Sequence, residues 1–364
     1  MKRSFLSAIF IVSLFCANII AQGHGMYTLV RADMKGNIEN LGNQVKTILE
    51  SNNFNILYYG DVATPDLVRE DKEDICGNKA KLFVVSNDEY IKMLTSYGNK
   101  YLVAGFLRIG LYQTPKGIQL IITDPETINR IVFNDLDVTK YNNVVNKSIK
   151  FKNNLLNDLN VLTAGTKMNK EMEPIRSAEN LREASKDMFM MVGHMTLFQD
   201  TDQFPVIYME KNTTGKAGLK NLIDKTLGNI SKFKPNQDDV EYRWTSSPSD
   251  LNWEIKAQMY SPDSTAYLLG ISRKRTEAIS FKIVGDETET NKCPGIDHLC
   301  AFPVEVLIMM KGDQLIIQTQ REMFRMDMYF WDAGMGAFMS HANMPSMLDD
   351  SIDRALIGHI SDLR

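Results

Sequence analysis

Phe106-Leu107-Arg108-Ile109-Gly110-Leu111-Tyr112, the turn Thr114-Pro115-Lys116-Gly117, and Ile118-Gln119-Leu120-Ile121-Ile122 form the stretch on which the reading of this chain depends. Two apolar runs around a Pro and Gly turn predict an antiparallel hairpin. The plan returns at Val304-Glu305-Val306-Leu307-Ile308-Met309-Met310, Lys311-Gly312-Asp313 and Gln314-Leu315-Ile316-Ile317, whose last four letters repeat Gln119-Leu120-Ile121-Ile122. Ile131-Val132-Phe133-Asn134-Asp135 is then answered by Met328-Tyr329-Phe330-Trp331-Asp332 after a small insertion. Strands draw on few residue types, so four letters alone carry little weight. The shared order of hairpin, helix and terminal helix makes duplication the better account.

Working outward, each hairpin sits inside a similar series of elements. In the first copy Tyr27 to Arg31 alternates as a strand. Ile38, Leu41, Val45, Ile48 and Leu49 mark one face of a helix. Phe54 to Tyr59 and Leu82 to Val85 read as strands, and Ser86-Asn87-Asp88-Glu89 has the spacing of a capping box. The second copy has strand patterns at Phe204 to Met209, Ile255 to Tyr260 and Ala266 to Ile271. Helical patterns fall at Gly215 to Ile230 and Pro345 to Ile360. The expected fold class is α+β: two copies of a small two-layer domain, each a mostly antiparallel sheet with helices on one face. The expected boundaries are 22–162 for the first domain, 163–203 for a connector with one amphipathic helix (Ala178 to Val192), and 204–364 for the second. Thr276 to Val284 is the weak point, because Ile279, Phe281 and Ile283 alternate like a strand where the first copy predicts a helix. Three cations are unfavourable at a helix N-terminus, so Arg273-Lys274-Arg275 reads as a solvated turn.

This order of elements resembles the bacterial family known as domain of unknown function 302. The hairpin Phe302 to Thr319 followed by Arg321-Glu322-Met323-Phe324 is similar to that family's closing segment. The first copy resembles it over Tyr27 to Leu162, the second mainly over Phe302 to Ile360. The resemblance implies a compact α+β fold with an antiparallel sheet covered by helices, and no established activity to carry over to any residue.

The N-terminus sets the expected compartment. Met1-Lys2-Arg3 is basic, Ser4 to Ala17 is uncharged and apolar, and Ala21 offers a small residue for cleavage, so 1–21 reads as a signal peptide. The alternative, an uncleaved anchor, fits less well with the small residue at Ala21 and the turn to Gly23-His24-Gly25. A lipid-attachment site is disfavoured by Phe15 before Cys16. Expected localisation is therefore exported: periplasm, outer cell surface or secreted, with no transmembrane span after cleavage. A net charge of −4 gives no electrostatic footprint for nucleic acid.

In an oxidising compartment Cys293 and Cys300, bracketing a short turn-rich loop, are expected to form a disulfide, leaving Cys76 buried without a partner. A metal site using both thiolates and His298 is the sharper alternative, but it lacks an obvious fourth ligand. The 21 methionines fall mostly after residue 150. Met188, Met190, Met191 and Met195 flank His194, and Met335, Met339, Met344 and Met347 flank His341. Met339, His341 and Met344 thus become candidate copper ligands; packing is the expected role, since methionine fills irregular cores. No Ser-His-Asp set, zinc-protease helix or phosphate loop is present. The expected function is an exported soluble binding or interaction protein, with no cofactor and an unidentified ligand or protein partner. Copper handling, and hydrolysis of an unrecognised type, are the alternatives.

Overall fold

A strand buried on both faces needs a nearly unbroken apolar run, and β-branched and aromatic residues supply such runs at the centres of two sheets. The structure, a computed structural model, describes residues 23–68, 79–182, 197–236, 239, 247–283, 295–332, 339 and 342–358. The signal peptide read over 1–21 lies outside them. In the first half β1 (Tyr27–Met34), α1 (Ile38–Ser51), β2 (Phe54–Asp61), β3 (Ala80–Asn87) and α2 (Asp88–Thr95) come first. β4 (Leu107–Thr114), β5 (Gly117–Thr123), α3 (Pro125–Val132), α4 (Val138–Leu159) and β6 (Thr166–Glu171) complete it. The sheet order is β2-β3-β4-β5-β1-β6, antiparallel throughout.

The second half runs β7 (Val206–Lys211), α5 (Lys216–Lys232), β8 (Glu254–Tyr260), β9 (Ala266–Ser272), α6 (Lys274–Ser280), β10 (Val304–Lys311), β11 (Gln314–Thr319), α7 (Glu322–Tyr329) and α8 (Met344–Ile357). Its sheet order is β8-β9-β10-β11-β7, again antiparallel. Leaving β6 aside, the two halves follow one strand order. The fold is α+β in a two-domain arrangement.

The halves bury one another. A 3-10 segment, Asn99–Gly105, precedes β4 and lies against β9 and β10 of the second sheet. Its counterpart before β10, Ile296–Ala301, lies against β3, β4 and β5 of the first. Gly110 in β4 makes this approach possible: a Cβ there would sit 2.5 Å from Leu299 and 2.7 Å from the Cys300 thiol. One continuous apolar core runs through both sheets.

Several expectations change. The hairpins close at Thr114 with Gly117 and at Lys311 with Gln314, so Gln314 corresponds to Gly117 and not to Gln119. The repeated Gln-Leu-Ile-Ile is therefore two residues out of register. What does correspond is longer and free of gaps, running from Gly98–Asp135 onto Gly295–Asp332. It matches 3-10 segment, hairpin and helix without the insertion expected before Met328. Thr276 to Ser280 lies in helix α6, the alternative the first copy predicts, and Arg273-Lys274-Arg275 is not a solvated turn. Buried Arg273 donates to Thr276 and pairs with Asp239 at 3.5 Å, buried Arg275 donates to the Asp239 carbonyl, and Lys274 approaches Asp250 and Glu254. Tertiary acceptors and, for Lys274, partial exposure thus offset the three cations at the positive end of the helix. Thr166–Glu171, within the expected connector, pairs with β1 as the sixth strand. No helix among the described residues is long and apolar enough to cross a membrane.

Candidate functional site

Where the two inner faces meet, every second residue of β4 and β10 must find a partner in the other half. Two of them are charged. Arg108 of β4 donates to Glu305 of β10, to the Pro303 carbonyl at 3.0 Å and to the Tyr329 hydroxyl at 3.2 Å. Arg325 of α7 donates to the other Glu305 oxygen at 2.7 Å and to the Ala301 carbonyl at 2.6 Å. Tyr329 and Gln320 also donate to Glu305. All three charged side chains are fully buried, and burial pulls Arg108 below the usual guanidinium pKa. Such a group joins elements but is closed to ligands.

A second buried cluster lies at the outer end of the first sheet. Lys152 of α4 reaches Asp124 at 2.5 Å, Glu171 at 2.7 Å and Glu126 at 3.6 Å. Asp124 accepts from the Glu126 and Thr127 N–H groups, capping α3, and from the Thr28 hydroxyl. His24 lies 3.3 Å from Glu126. These acceptors are occupied, so this cluster too reads as architecture.

The third constellation is less complete. His298, in the second 3-10 segment, directs Nδ1 at the Ser280 carbonyl at 2.8 Å and so must donate there. Its Nε2 faces the Asp332 oxygens at 2.8 and 3.1 Å. Phe330 meets the ring edge-on at 4.7 Å. One ligand atom each from Asp297, His298 and Asp332 lies within 4.8 Å of the others. Burial lowers the affinity of His298 for a proton, but the Asp332 carboxylate outweighs it and holds the imidazole at about 9. Burial lifts Asp297 to about 6. Because the folded value of His298 lies above the unfolded one, near 6.5, its contribution is full below about pH 6.5 and is lost as pH rises through about 9. The urea midpoint of the protein in metal-free buffer is expected to fall across that window, and Asp332→Asn to flatten the fall. A midpoint constant from neutral to alkaline pH would contradict this pairing.

An open concavity lies elsewhere, at the end of α1, the start of β2, the β3–α2 junction and the last turns of α4. It holds about 570 Å³ and is lined by Glu50, Asp88, Glu89 and Asp158, by five asparagines, and by Phe54, Phe151 and Leu155. Local sequence sets its rim. Asn87 caps α2 by accepting from the Tyr90 N–H at 3.0 Å, which leaves Asp88 and Glu89 exposed in the first turn. Asn55 donates to Asp88 at 3.1 Å. Phe151 stacks on Tyr90 with centroids 4.3 Å apart and lies 6.2 Å from Phe54, making an apolar floor. Burial raises the Asp158 carboxyl above its ordinary value.

The residues singled out from sequence lie apart from this groove. Cys300 is a buried free thiol pressed against β4, its pKa pushed up by burial. Cys293 and Cys76 fall outside the described residues, and no disulfide is seen among those described. The metal alternative built on thiolates with His298 finds both ring nitrogens turned to Ser280 and Asp332. Of the copper candidates, Met344 packs against the core, Met339 is 51% exposed and His341 lies outside the described residues. Packing therefore describes Met344 but not Met339. α8 rests on α5 and on Trp253, whose indole donates to Ser351 at 3.0 Å, while Trp331 lies beneath Arg176 at 4.0 Å. The groove was missed because its residues are ordinary turn and cap formers, gathered only by packing. Asp332 was visible only as one letter of the repeat.

No family model and no curated protein matches the chain. Among solved structures, an uncharacterized conserved protein of the domain of unknown function 302 type from Bacillus stearothermophilus is similar to it. That likeness has 12% identity, a TM-score of 0.31, and coverage of 37% of this chain and 96% of the other.

Proposed function

We propose that this chain is an exported binding module made of two diverged copies of one domain, of the unknown-function 302 kind, and that its first copy takes a small organic cation. The shared strand order and the gapless correspondence of Gly98–Asp135 with Gly295–Asp332 support the duplication. The basic and apolar pattern of residues 1–21 supports export. The observation that carries the ligand class is the lining of the 570 Å³ groove: four carboxylates, five carboxamides, an aromatic floor and no basic side chain. A cavity of this size suits a small molecule. An ammonium or guanidinium group would replace water at the carboxylates while its carbon frame covers Phe54 and Phe151, the arrangement favoured by cation–π attraction.

Calorimetric titration with spermidine, with glucose as a neutral control, tests this. Spermidine should bind in the micromolar to millimolar range, more weakly as salt rises. The Glu89→Gln/Asp158→Asn variant should bind it about tenfold less tightly, roughly 1.4 kcal/mol. Equal response to glucose, or affinity untouched in the variant, would overturn the reading.

A further inference from the structure

We infer that Asp297, His298 and Asp332 form a binding site for a divalent first-row metal cation, zinc being the ion whose preferences they match best. The comparison of the two halves shows what the position is for. In the first half it is filled. Lys100 Nζ lies 2.5 Å from Asp135 Oδ2, the Tyr101 hydroxyl donates to Asp135 Oδ1 at 2.8 Å, and Tyr101 stacks on Phe133 at 4.2 Å. Along the gapless correspondence Asp297 stands at the place of Lys100, His298 at Tyr101, Phe330 at Phe133 and Asp332 at Asp135. The exchange of Lys100 for Asp297 removes a cation and adds an anion. The exchange of Tyr101 for His298 replaces a hydroxyl donor by a ring nitrogen that can coordinate. One half carries its cation covalently, and the other presents ligands for one.

The side chains themselves give a second observation. Asp297 is 7% exposed, and what offsets the burial of its carboxylate is its own backbone N–H and the imidazole of His298 beside it. A buried carboxylate so little compensated, with the Asp332 carboxylate nearby, is costly, and a cation shared by the two lowers that cost. Its oxygens face the pair that would share the ion, with all three ligand atoms inside a 4.8 Å span. His298 Nδ1 is fixed on the Ser280 carbonyl, so Nε2 turns to the carboxylates. Metal-ligating histidines are commonly oriented in this way by a backbone carbonyl. On binding, the ion takes the place of the Nε2 proton, which leaves to solvent. A cavity of about 10 Å³ bordered by Asp297, Asp332, Tyr27 and Tyr329 has room for about one water as a further ligand. Arg176 borders it too, but its guanidinium lies over Trp331 and donates to the Asp327 carbonyl. Asp332, its side chain 22% exposed, leaves an edge for entry. Two carboxylates and an imidazole, with no sulfur, select zinc or manganese over Cu(I).

Titration of the purified chain with zinc sulfate in non-coordinating buffer tests the inference. One equivalent should bind in the micromolar range or tighter and raise the thermal midpoint. Asp297→Lys rebuilds the arrangement of the first half. It should lose at least about 30-fold in zinc affinity yet unfold no earlier than the metal-free wild type. If that variant fails to fold, Asp332→Asn, at the exposed rim, should weaken zinc by about 10- to 100-fold. X-ray absorption of the bound zinc should show only nitrogen and oxygen neighbours at about 2.0–2.1 Å. The Glu89→Gln/Asp158→Asn variant should take up zinc unchanged, separating this site from the groove. Absence of stoichiometric uptake, zinc affinity unaltered in the Asp297 and Asp332 variants, or a sulfur shell near about 2.3 Å would overturn it.

Discussion

Replacing Glu305 by alanine is expected to cost about 3–5 kcal/mol, the largest loss from any single change at the junction of the two halves. Glu305 is the shared acceptor of Arg108, Arg325, Tyr329 and Gln320. Without it two guanidiniums stay buried, with the Pro303 and Ala301 carbonyls, the Tyr329 hydroxyl and a Glu322 contact at 3.2 Å as their remaining partners. The penalty comes from the stranded charges rather than from the lost attraction. Removing all of them together should therefore cost much less: Arg108→Met, Glu305→Leu and Arg325→Met combined is expected to recover most of the stability. Urea denaturation of both proteins checks this. A midpoint shift in Glu305→Ala worth less than about 1 kcal/mol, or a triple variant no better than the single one, would show that water or neighbouring groups compensate.

Lys152→Met is expected to cost a similar amount, about 3–5 kcal/mol at neutral pH, by the same physics with the signs reversed. Lys152 is the ammonium at the centre of Asp124, Glu126 and Glu171. Methionine keeps much of the volume but leaves three carboxylates facing one another, with His24 and Arg130 as the nearby basic groups. Carboxylates left together can relieve their repulsion by taking up protons, so the deficit should shrink as pH falls from about 7 to 4. Paired denaturation curves at the two pH values decide the matter. A deficit that is constant or grows in acid would mean that lost packing, not charge, dominates. The consequence reaches beyond one helix, since Asp124 caps α3 and Glu171, at the end of β6, accepts from the Gly25 N–H just before β1.

Much of the fold was legible because it rests on local rules. Alternation in Leu107 to Thr114 and two-residue turns at Pro115-Lys116 and Gly312-Asp313 specify hairpins wherever they occur. The stripe Ile38, Leu41, Val45 and Leu49 specifies a helix that covers a sheet, and the run Ser86 to Glu89 marks where α2 begins, although Asn87 and not Ser86 caps it. These follow from backbone sterics and from apolar residues leaving water, both read within a few positions. Repetition was legible too, but its register was not. Identical letters placed Gln119 on Gln314, whereas the strand pairing places Gly117 there.

Only tertiary structure decided what depends on partners distant in the chain. Thr276 to Ser280 became helix because Asp239, far from it in the chain, accepts from the arginines that would have opposed it. Arg108 and Glu305 look like ordinary charged letters in apolar strands until two sheets close on them. Their burial is tolerable only because each supplies the other's counter-charge. Asp297 and His298 are adjacent in sequence, but Asp332 joins them only when the end of α7 folds back over the second 3-10 segment. The groove of Asp88, Glu89 and Asp158 arises in the same way, from caps and helix ends gathered by packing. Local pattern fixes which elements form. Which charges meet is set by the buried contacts between elements, where low polarity makes an unpaired charge too costly to keep.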